Sequence, residues 1–298
     1  MEALRVMAAH HESTGAIGLV LARPARLLGV EPFFMEFIAG IEERLADREL
    51  SVLLHVVATQ EAEIAAYRRW AQRGLVDATI VVNRSVDDKR PAVLTELGLP
   101  AVLVGAADEA GLPAVRTDDA GPVLEALRRL VKLGHRRIAR VTGPSTLLHT
   151  RARTAAQLDG CRSAGIKPIV VEGDYSEESG AKHTAELLSR AEPPTAILYD
   201  NDVMAVAGLA VAADMGVRVP DQLSLIAWDD STLCRVASPP LSVMSVDVHQ
   251  FGITVAESVL ERIDGVAVAQ RWSPPARYIA RETTAPPSLS TRDKPAIP

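Results

Sequence analysis

Aromatic residues are scarce in this chain of 298 residues: three tryptophans, four tyrosines and four phenylalanines make up 4% of it. A site that needs flat apolar walls must draw on a handful of positions. Cysteine is nearly absent. Cys161 and Cys234 make no metal-ligand spacing and no disulfide framework, and isolated free cysteines are mostly small buried apolar groups. No apolar run is long and uncharged enough to span a bilayer. The opening MEALRVMAAHHESTG carries charges and histidines where a secretory peptide needs an apolar core, so a cytoplasmic location is the expectation. Basic charge is not in excess either. The net charge is −6, which argues against nucleic-acid binding by this chain alone. Arg128-Arg129 and Arg136-Arg137 with Arg140 read as solvated faces. Also missing are a G-x-S-x-G elbow, a P-loop, a G-x-G-x-x-G fingerprint and an H-E-x-x-H pair. No enzyme activity, catalytic residue, cofactor or metal is therefore expected, and His10-His11 find no third ligand.

What is present is a repeated alternation of strands and helices, with 48% hydrophobic residues to build a large core. The spacing predicts strands at Ile17–Ala22, Ser51–Val57, Ala78–Val82 and Ala101–Val104. Between them it predicts helices at Pro32–Arg48 and Glu61–Gln72 and near Arg90–Leu97. The series restarts after Asp118-Asp119. Helices are predicted at Gly121–Lys132, Ala152–Ala164, Glu177–Arg190, Asp202–Met215 and Val248–Ile263. Strands are predicted at Arg137–Val141, Pro168–Val171, Ala196–Tyr199, Leu223–Trp228, Leu241–Val246 and Ala276–Ala280. These are too many strands for one comfortable doubly wound sheet. The reading is α/β, with two doubly wound parallel-sheet lobes. The tail Ala285–Pro298 is rich in Pro, Ser and Thr and is expected to be disordered.

The segment TAILYDNDVMAVAGLAVAADMGVRVPDQLSLIAWDD, Thr195–Asp230, carries the most chemistry. Two apolar strands end in polar clusters, Asp200-Asn201-Asp202 and Asp229-Asp230. Open α/β sheets bind ligands outside the carboxyl ends of their strands, so these clusters mark a small-molecule cleft. Asp229 offers an ionised acceptor, or it caps the following turn. Asn201 offers a donor and an acceptor suited to vicinal hydroxyls, or it caps the helix at Asp202–Met215; the two roles are compatible. Phe33, Phe34, Tyr175 and Trp228 sit at or beside strand ends facing this cleft. Phe34 also belongs to the apolar stripe of its helix. Asp229 and Asp230 are adjacent, so their side chains diverge in an extended chain, and paired acid/base chemistry is unsupported. His135 reads as a turn histidine bonded to nearby backbone, and His149 lies closer to the cleft.

The order of motifs resembles the effector-binding part of the LacI/GalR family of bacterial transcription regulators. It runs from TGAIGLV at Thr14–Val20 through DDAGPVLEALRRLVKLGHRRIARVTGP at Asp119–Pro144 and GDYSEESG at Gly173–Gly180. The Thr195–Asp230 segment follows, and then PPLSVMSVD at Pro239–Asp247. The resemblance covers roughly Gly15 to Thr284. It implies a type I periplasmic-binding-protein-like fold with three crossover segments, near Arg116–Asp118, Ser245–Asp247 and Arg271–Pro275. An N-terminal lobe would comprise residues 15–116 plus 247–270, and a C-terminal lobe 117–246 plus 271–284. An N-terminal remnant, 1–14, and the tail, 285–298, would flank them. The resemblance also implies a sugar-like effector between the lobes and a homodimer. Helix Asp202–Met215 and helix Pro32–Arg48 would lie at the dimer face, with Met204, Ala205, Val206 and Leu209 in the interface or against their own sheet. Operator DNA would be bound through a helix-turn-helix that this chain is expected to lack. The alternative is a solute-binding protein of a sugar transporter.

One departure stands out. The family's pattern R--G(F/Y) in the first helix of the second lobe places an arginine on the ligand. This chain has Gln157 there, and Cys161 at the aromatic position. A neutral amide does not replace a guanidinium fork. Arg153 lies one turn earlier on the same face. Either Arg153 partly substitutes, or the ligand is neutral and smaller. The ligand-binding set is thus expected to be Asp229, Asn201, Tyr175, Phe33, Phe34, Gln157, Arg153 and Trp228.

Overall fold

The structure is a computed structural model and describes residues 13–24, 32–106 and 111–288. Its first part runs β1 (Ala16–Ala22), α1 (Pro32–Ala46), β2 (Ser51–Val57), α2 (Gln60–Arg73), β3 (Ala78–Val81), α3 (Arg90–Glu96), β4 (Ala101–Val104) and β5 (Ala114–Arg116). The second part runs α4 (Gly121–Leu133), β6 (Ile138–Thr142), α5 (Leu148–Ser163), β7 (Ile169–Glu172), α6 (Glu177–Leu188), β8 (Ala196–Tyr199), α7 (Asp202–Asp214), β9 (Ser224–Trp228), α8 (Thr232–Val236) and β10 (Ser242–Ser245). It is followed by α9 (Val248–Ile263), β11 (Arg271–Trp272) and β12 (Arg277–Ile279).

The strands form two six-stranded sheets, ordered β11-β5-β4-β3-β1-β2 and β12-β10-β9-β8-β6-β7. All pairings are parallel except β10 with β12. Parallel strands covered on both faces need unbroken apolar runs, and β3, β8 and β9 are buried at every residue. Each sheet is sandwiched. In the first lobe α1 and α9 cover one face and α2 and α3 the other. In the second, α6 and α7 cover one face and α4 and α5 the other. The chain passes between sheets three times: after β5, between β10 and α9, and between β11 and β12. The lobes also touch through backbone. Val86 N donates to the Thr146 carbonyl at 2.9 Å, Leu148 N donates to the Arg84 carbonyl at 2.9 Å, and Ser85 bridges Leu147.

Several expectations need correction. The resemblance places Arg271 and Trp272 in the second lobe, yet they pair with β5 in the first sheet. Two residues are too short a run to carry a strand period. The short β5 and α8 are likewise additional to the elements the spacing predicts. Residues 285–288 are not a loose tail. Ser224 Oγ donates to the Ala285 carbonyl and accepts from its amide, both at 3.1 Å, and Ser288 N donates to the Asp221 carbonyl. The rest of the tail, and residues 1–12 of the N-terminal remnant, lie outside the described residues. For α7 both an interface and its own sheet were open, and Met204, Ala205 and Leu209 are buried in the core of their own lobe with Val206 packed against it. Among the described residues no helix is long and apolar enough to cross a membrane.

The α1–α9 crossing depends on two glycines. A Cβ on Gly252 would lie 2.2 Å from the Phe37 carbonyl oxygen, and one on Gly40 would lie 2.0 Å from the His249 carbonyl oxygen. Backbone cannot yield as a flexible side chain does. Gly252→Ala is expected to cost about 1–3 kcal/mol by overpacking, read as a lower urea midpoint at unchanged slope.

Candidate functional site

Between the lobes lies a cavity of about 430 Å³, open to the cleft mouth. Its first-lobe wall is mostly apolar, with Arg23 and Asn83 among its lining. Phe33 and Phe34 meet edge to face with centroids 5.3 Å apart, Phe33 stacks on Phe37 at 6.0 Å, and Phe37 meets Phe251 at 5.3 Å. Helix α1 delivers three of these rings and α9 the fourth, which is why the tight α1–α9 crossing matters to the site. With Trp228, Trp272 and Tyr175, seven of the chain's eleven aromatic residues line this one cavity.

The second-lobe wall is polar. Asp229, Asn201, Asp200 and Tyr175 reach the cavity from the carboxyl ends of β9, β8 and β7, together with Asp119, His149 and Arg153. Tyr175 and Asp229 adopt left-handed backbone, φ 69° and 68°, as does Asn83 on the facing lobe at φ 49°. Non-glycine residues rarely pay for this conformation, and such strain concentrates where side chains must be aimed. Tyr175 packs against Gly143, where a Cβ would lie 2.0 Å from its Cζ. Its hydroxyl is 2.8 Å from His149 Nε2. Asn201 caps α7: its Oδ1 accepts from Met204 N at 2.9 Å, and its Nδ2 donates to the Tyr175 carbonyl at 2.9 Å. It thereby ties Tyr175 to α7 while facing the cavity. Asp230 turns away, gripped by Arg281 at 2.8 Å through both carboxylate oxygens.

Arg153 lies over Trp228, 3.9 Å from the ring centroid, and Nε donates to Asp119 at 3.3 Å. Gln157 is not among the lining residues. It sits one turn further along α5, buried, with Nε2 3.5 Å from the Ile169 carbonyl under β7. This placement sets Gln157 apart from the other seven residues of the expected ligand set, which all line the cavity. Helix α5 begins at Leu148, four residues before the expected start, and that added turn brings His149 to the cavity.

Beneath the floor, Arg140 and Asp200 form a buried two-pronged ion pair, both bonds 2.6 Å. Burial alone would raise the Asp200 pKa, but the Arg140 and Arg153 charges outweigh it and hold the carboxyl below its usual range. His149 is driven down to about 4, first by burial and then by the Arg153 charge, against the pull of Asp119 and Asp200. It is neutral at pH 7. As pH falls from about 6.5 to about 4, the unfolded chain binds a proton at His149 that the folded chain refuses. Folding stability is therefore expected to drop across that window, by at most about 3 kcal/mol and less where cleft water reaches the ring. His135 is shifted down by burial and adds in the same direction. Urea unfolding at pH 7.5, 6, 5 and 4 measures the drop, and His149→Gln is expected to flatten it.

Sequence reasoning missed Arg23, Asn83, Asp119, Phe37, Phe251 and Trp272 in this cavity. Asn83 ends β3 as Asn201 ends β8, so the strand-end rule applied to the first lobe finds it. Trp272 carried no signal, because its strand is two residues long. Among the described residues, no group of three or more His, Cys, Asp or Glu side chains is arranged to hold a metal ion.

The family model for a periplasmic binding protein-like domain matches residues 127–284. CelR of Thermobifida fusca, a helix-turn-helix-type transcriptional regulator, is 29% identical over 260 residues, covering 85% of this chain and 76% of CelR. A LacI-family transcriptional regulator from Bifidobacterium animalis subsp. lactis is 36% identical, with TM-score 0.85, over 93% of this chain and all of that one. A CelR–cellobiose complex superposes with TM-score 0.82 at 28% identity, over 91% of this chain and 85% of that one. These relatives are regulators rather than enzymes, and they do not favour the transporter alternative. The chain belongs to the LacI family of transcriptional regulators, as an effector-binding domain of two α/β lobes.

Proposed function

We infer that the interlobe cavity binds a neutral polyhydroxylated effector, a sugar or related polyol. Asp229, Asn201 and Arg153 supply its hydrogen bonds, and Trp228, Tyr175, Phe33 and Phe34 its flat walls. The observation that carries this is the sorting of the cavity: five of its seven aromatic rings come from the first lobe, and most of its strand-end polar groups from the second. Five aspartates line it against two arginines, which disfavours an anion and suits hydroxyl donors. The lobes, residues 15–116 with 247–272 and residues 117–246 with 273–288, are the moving units, pivoting at the three crossings. An effector with different affinity for two lobe arrangements shifts their populations. In a cytoplasmic homodimer, that shift changes how a helix-turn-helix head meets operator DNA. Exposed Met35 on α1 and Leu53 on β2 leave apolar surface for a dimer on the first lobe.

Two of the three tryptophans line the cavity, so intrinsic fluorescence reports binding directly. A panel of sugars, polyols and nucleosides is expected to yield a sugar that changes emission and raises the melting temperature. At a hundred times its dissociation constant it adds about 2.7 kcal/mol. Binding by nucleosides alone would overturn the sugar reading, and a monomer in sedimentation at micromolar concentration would overturn the dimer.

A further inference from the structure

The turn that leaves β3 is held by buried charge. Asn83 and Asp87 both adopt left-handed backbone there, φ 49° and 53°. Two such residues in one turn persist only where the surroundings over-determine them. Arg90, at the start of α3, supplies that restraint. Its guanidinium donates to the Val82 carbonyl at 3.0 Å and to the Asn83 carbonyl at 2.9 Å, two acceptors that lie past the end of β3 at Val81. The remaining donors go to carboxylates. Nε and Nη2 grip Asp88 at 2.8 Å each, and Nη1 donates to Glu63 on α2 at 2.9 Å. Asp88 also accepts from Arg84 Nε at 2.7 Å. Every hydrogen of the Arg90 guanidinium thus has an acceptor. The side chains of Glu63, Arg84, Asp88 and Arg90 are 1–6% exposed, and their charges cancel.

Closing a turn does not require such a cluster. An Asn or Gly in the turn suffices, and four buried charges add little stability for their desolvation cost. What the cluster fixes is where the turn points. Asn83 lines the cavity between the lobes. The next three residues carry the interlobe bridge: the Arg84 carbonyl accepts from Leu148 N, Ser85 pairs with Leu147, and Val86 N donates to the Thr146 carbonyl. The bridge lies away from the chain crossings. Those leave β5, β10 and β11, each first or second in its sheet, whereas the bridge follows β3 and β6, fourth and fifth. We propose that Arg90 is a positioning residue: through the Val82 and Asn83 carbonyls it aims Asn83 into the cavity and holds residues 84–86 against the second lobe, whether the cleft is empty or filled. Arg90 itself does not line that cavity. Its role is the same for any effector.

Hydrogen exchange on the ligand-free protein tests this, read at the Val86 and Leu148 amides of the bridge and at the amides of β1. In the parent the bridge amides are expected to be protected. Arg90→Lys keeps the charge and loses the planar fork, so a single ammonium cannot serve two carboxylates and two carbonyls together. It is expected to speed exchange at both bridge amides by about tenfold or more. The β1 amides are expected to change only as far as the global stability measured in urea changes. The double variant Glu63→Gln, Arg90→Met strands no charge. It leaves the Arg84–Asp88 pair and keeps an acceptor for the Tyr67 hydroxyl, and it is expected to free the bridge amides in the same way. Bridge amides that stay as protected as in the parent in either variant overturn the proposal. So do bridge amides that open only in step with β1, which is the behaviour of an ion cluster that merely stabilises the lobe. Bridge amides that exchange freely in the parent overturn it as well.

Discussion

Arg140→Met is expected to lower the unfolding free energy by about 3–5 kcal/mol at pH 7, because it strands a buried carboxylate. Both partners of the Arg140–Asp200 pair are 1% exposed, and both bonds are 2.6 Å. Without the guanidinium, Asp200 keeps, among the described residues, the Gly143 amide at 3.3 Å as its hydrogen-bond donor. The sign of the pH dependence follows. In the parent the folded pKa of Asp200 is depressed, so its contribution is present above the unfolded value and is lost as pH falls. In the variant, the Arg153 charge and the Gly143 amide alone oppose burial, so the folded pKa rises above that of the parent. The deficit is therefore largest at neutral pH and shrinks in acid, where Asp200 is neutral in both states. Urea unfolding at pH 7 and pH 5 measures both parts. The double variant Arg140→Met, Asp200→Leu is expected to recover most of the loss, since an apolar pair replaces an ion pair at little cost. A single-variant loss below about 1 kcal/mol would mean that water reaches the pair.

Asp229→Ala is expected to weaken effector binding by at least 100-fold. Hydrogen bonds to a charged group contribute about 1.5–3 kcal/mol each, and a carboxylate on a polyol accepts two. Alanine also loses the tolerance for left-handed backbone that aspartate has at φ 68°, so its effect mixes contact with conformation. Asp229→Asn separates them. Asparagine keeps the shape and the backbone preference and removes only the charge, and it is expected to cost about tenfold. Fluorescence titration with the sugar found by the panel measures both variants. An unchanged Kd in Asp229→Asn together with a large loss in Asp229→Ala would assign Asp229 to loop geometry rather than to the ligand.

The paths to these two residues differ. Asp229 was legible in the sequence because it follows a buried apolar strand, and parallel sheets present ligands at strand ends. Asn201 was legible for the same reason, with both of its readings open, and the structure places it as cap and cavity wall together. Arg140 looked like one more basic residue in an LGHRRIAR run. Only the pairing of β6 with β8 sets it beside Asp200, sixty residues away. Gln157 and Arg153 share a helix face by spacing. A helix face, however, is wider than a cleft, and one turn decides which side chain lines the cavity and which passes under β7.

By itself the sequence determined the alternation of strands and helices, the division into two sheets and the strand-end positions of the polar residues. These follow from local periodicity and from turn and cap chemistry, which act over a few residues. Tertiary structure alone decided which sparse aromatics converge. Phe37, Phe251 and Trp272 come from three separate segments, and their meeting depends on a glycine-to-backbone helix crossing and a two-residue strand. It also decided that a second cavity, lined by both lobes, shares Asn83 and Tyr175 with the first. A chamber shared by two lobes has no sequence period, because its walls are neighbours only after both sheets have formed and closed against each other.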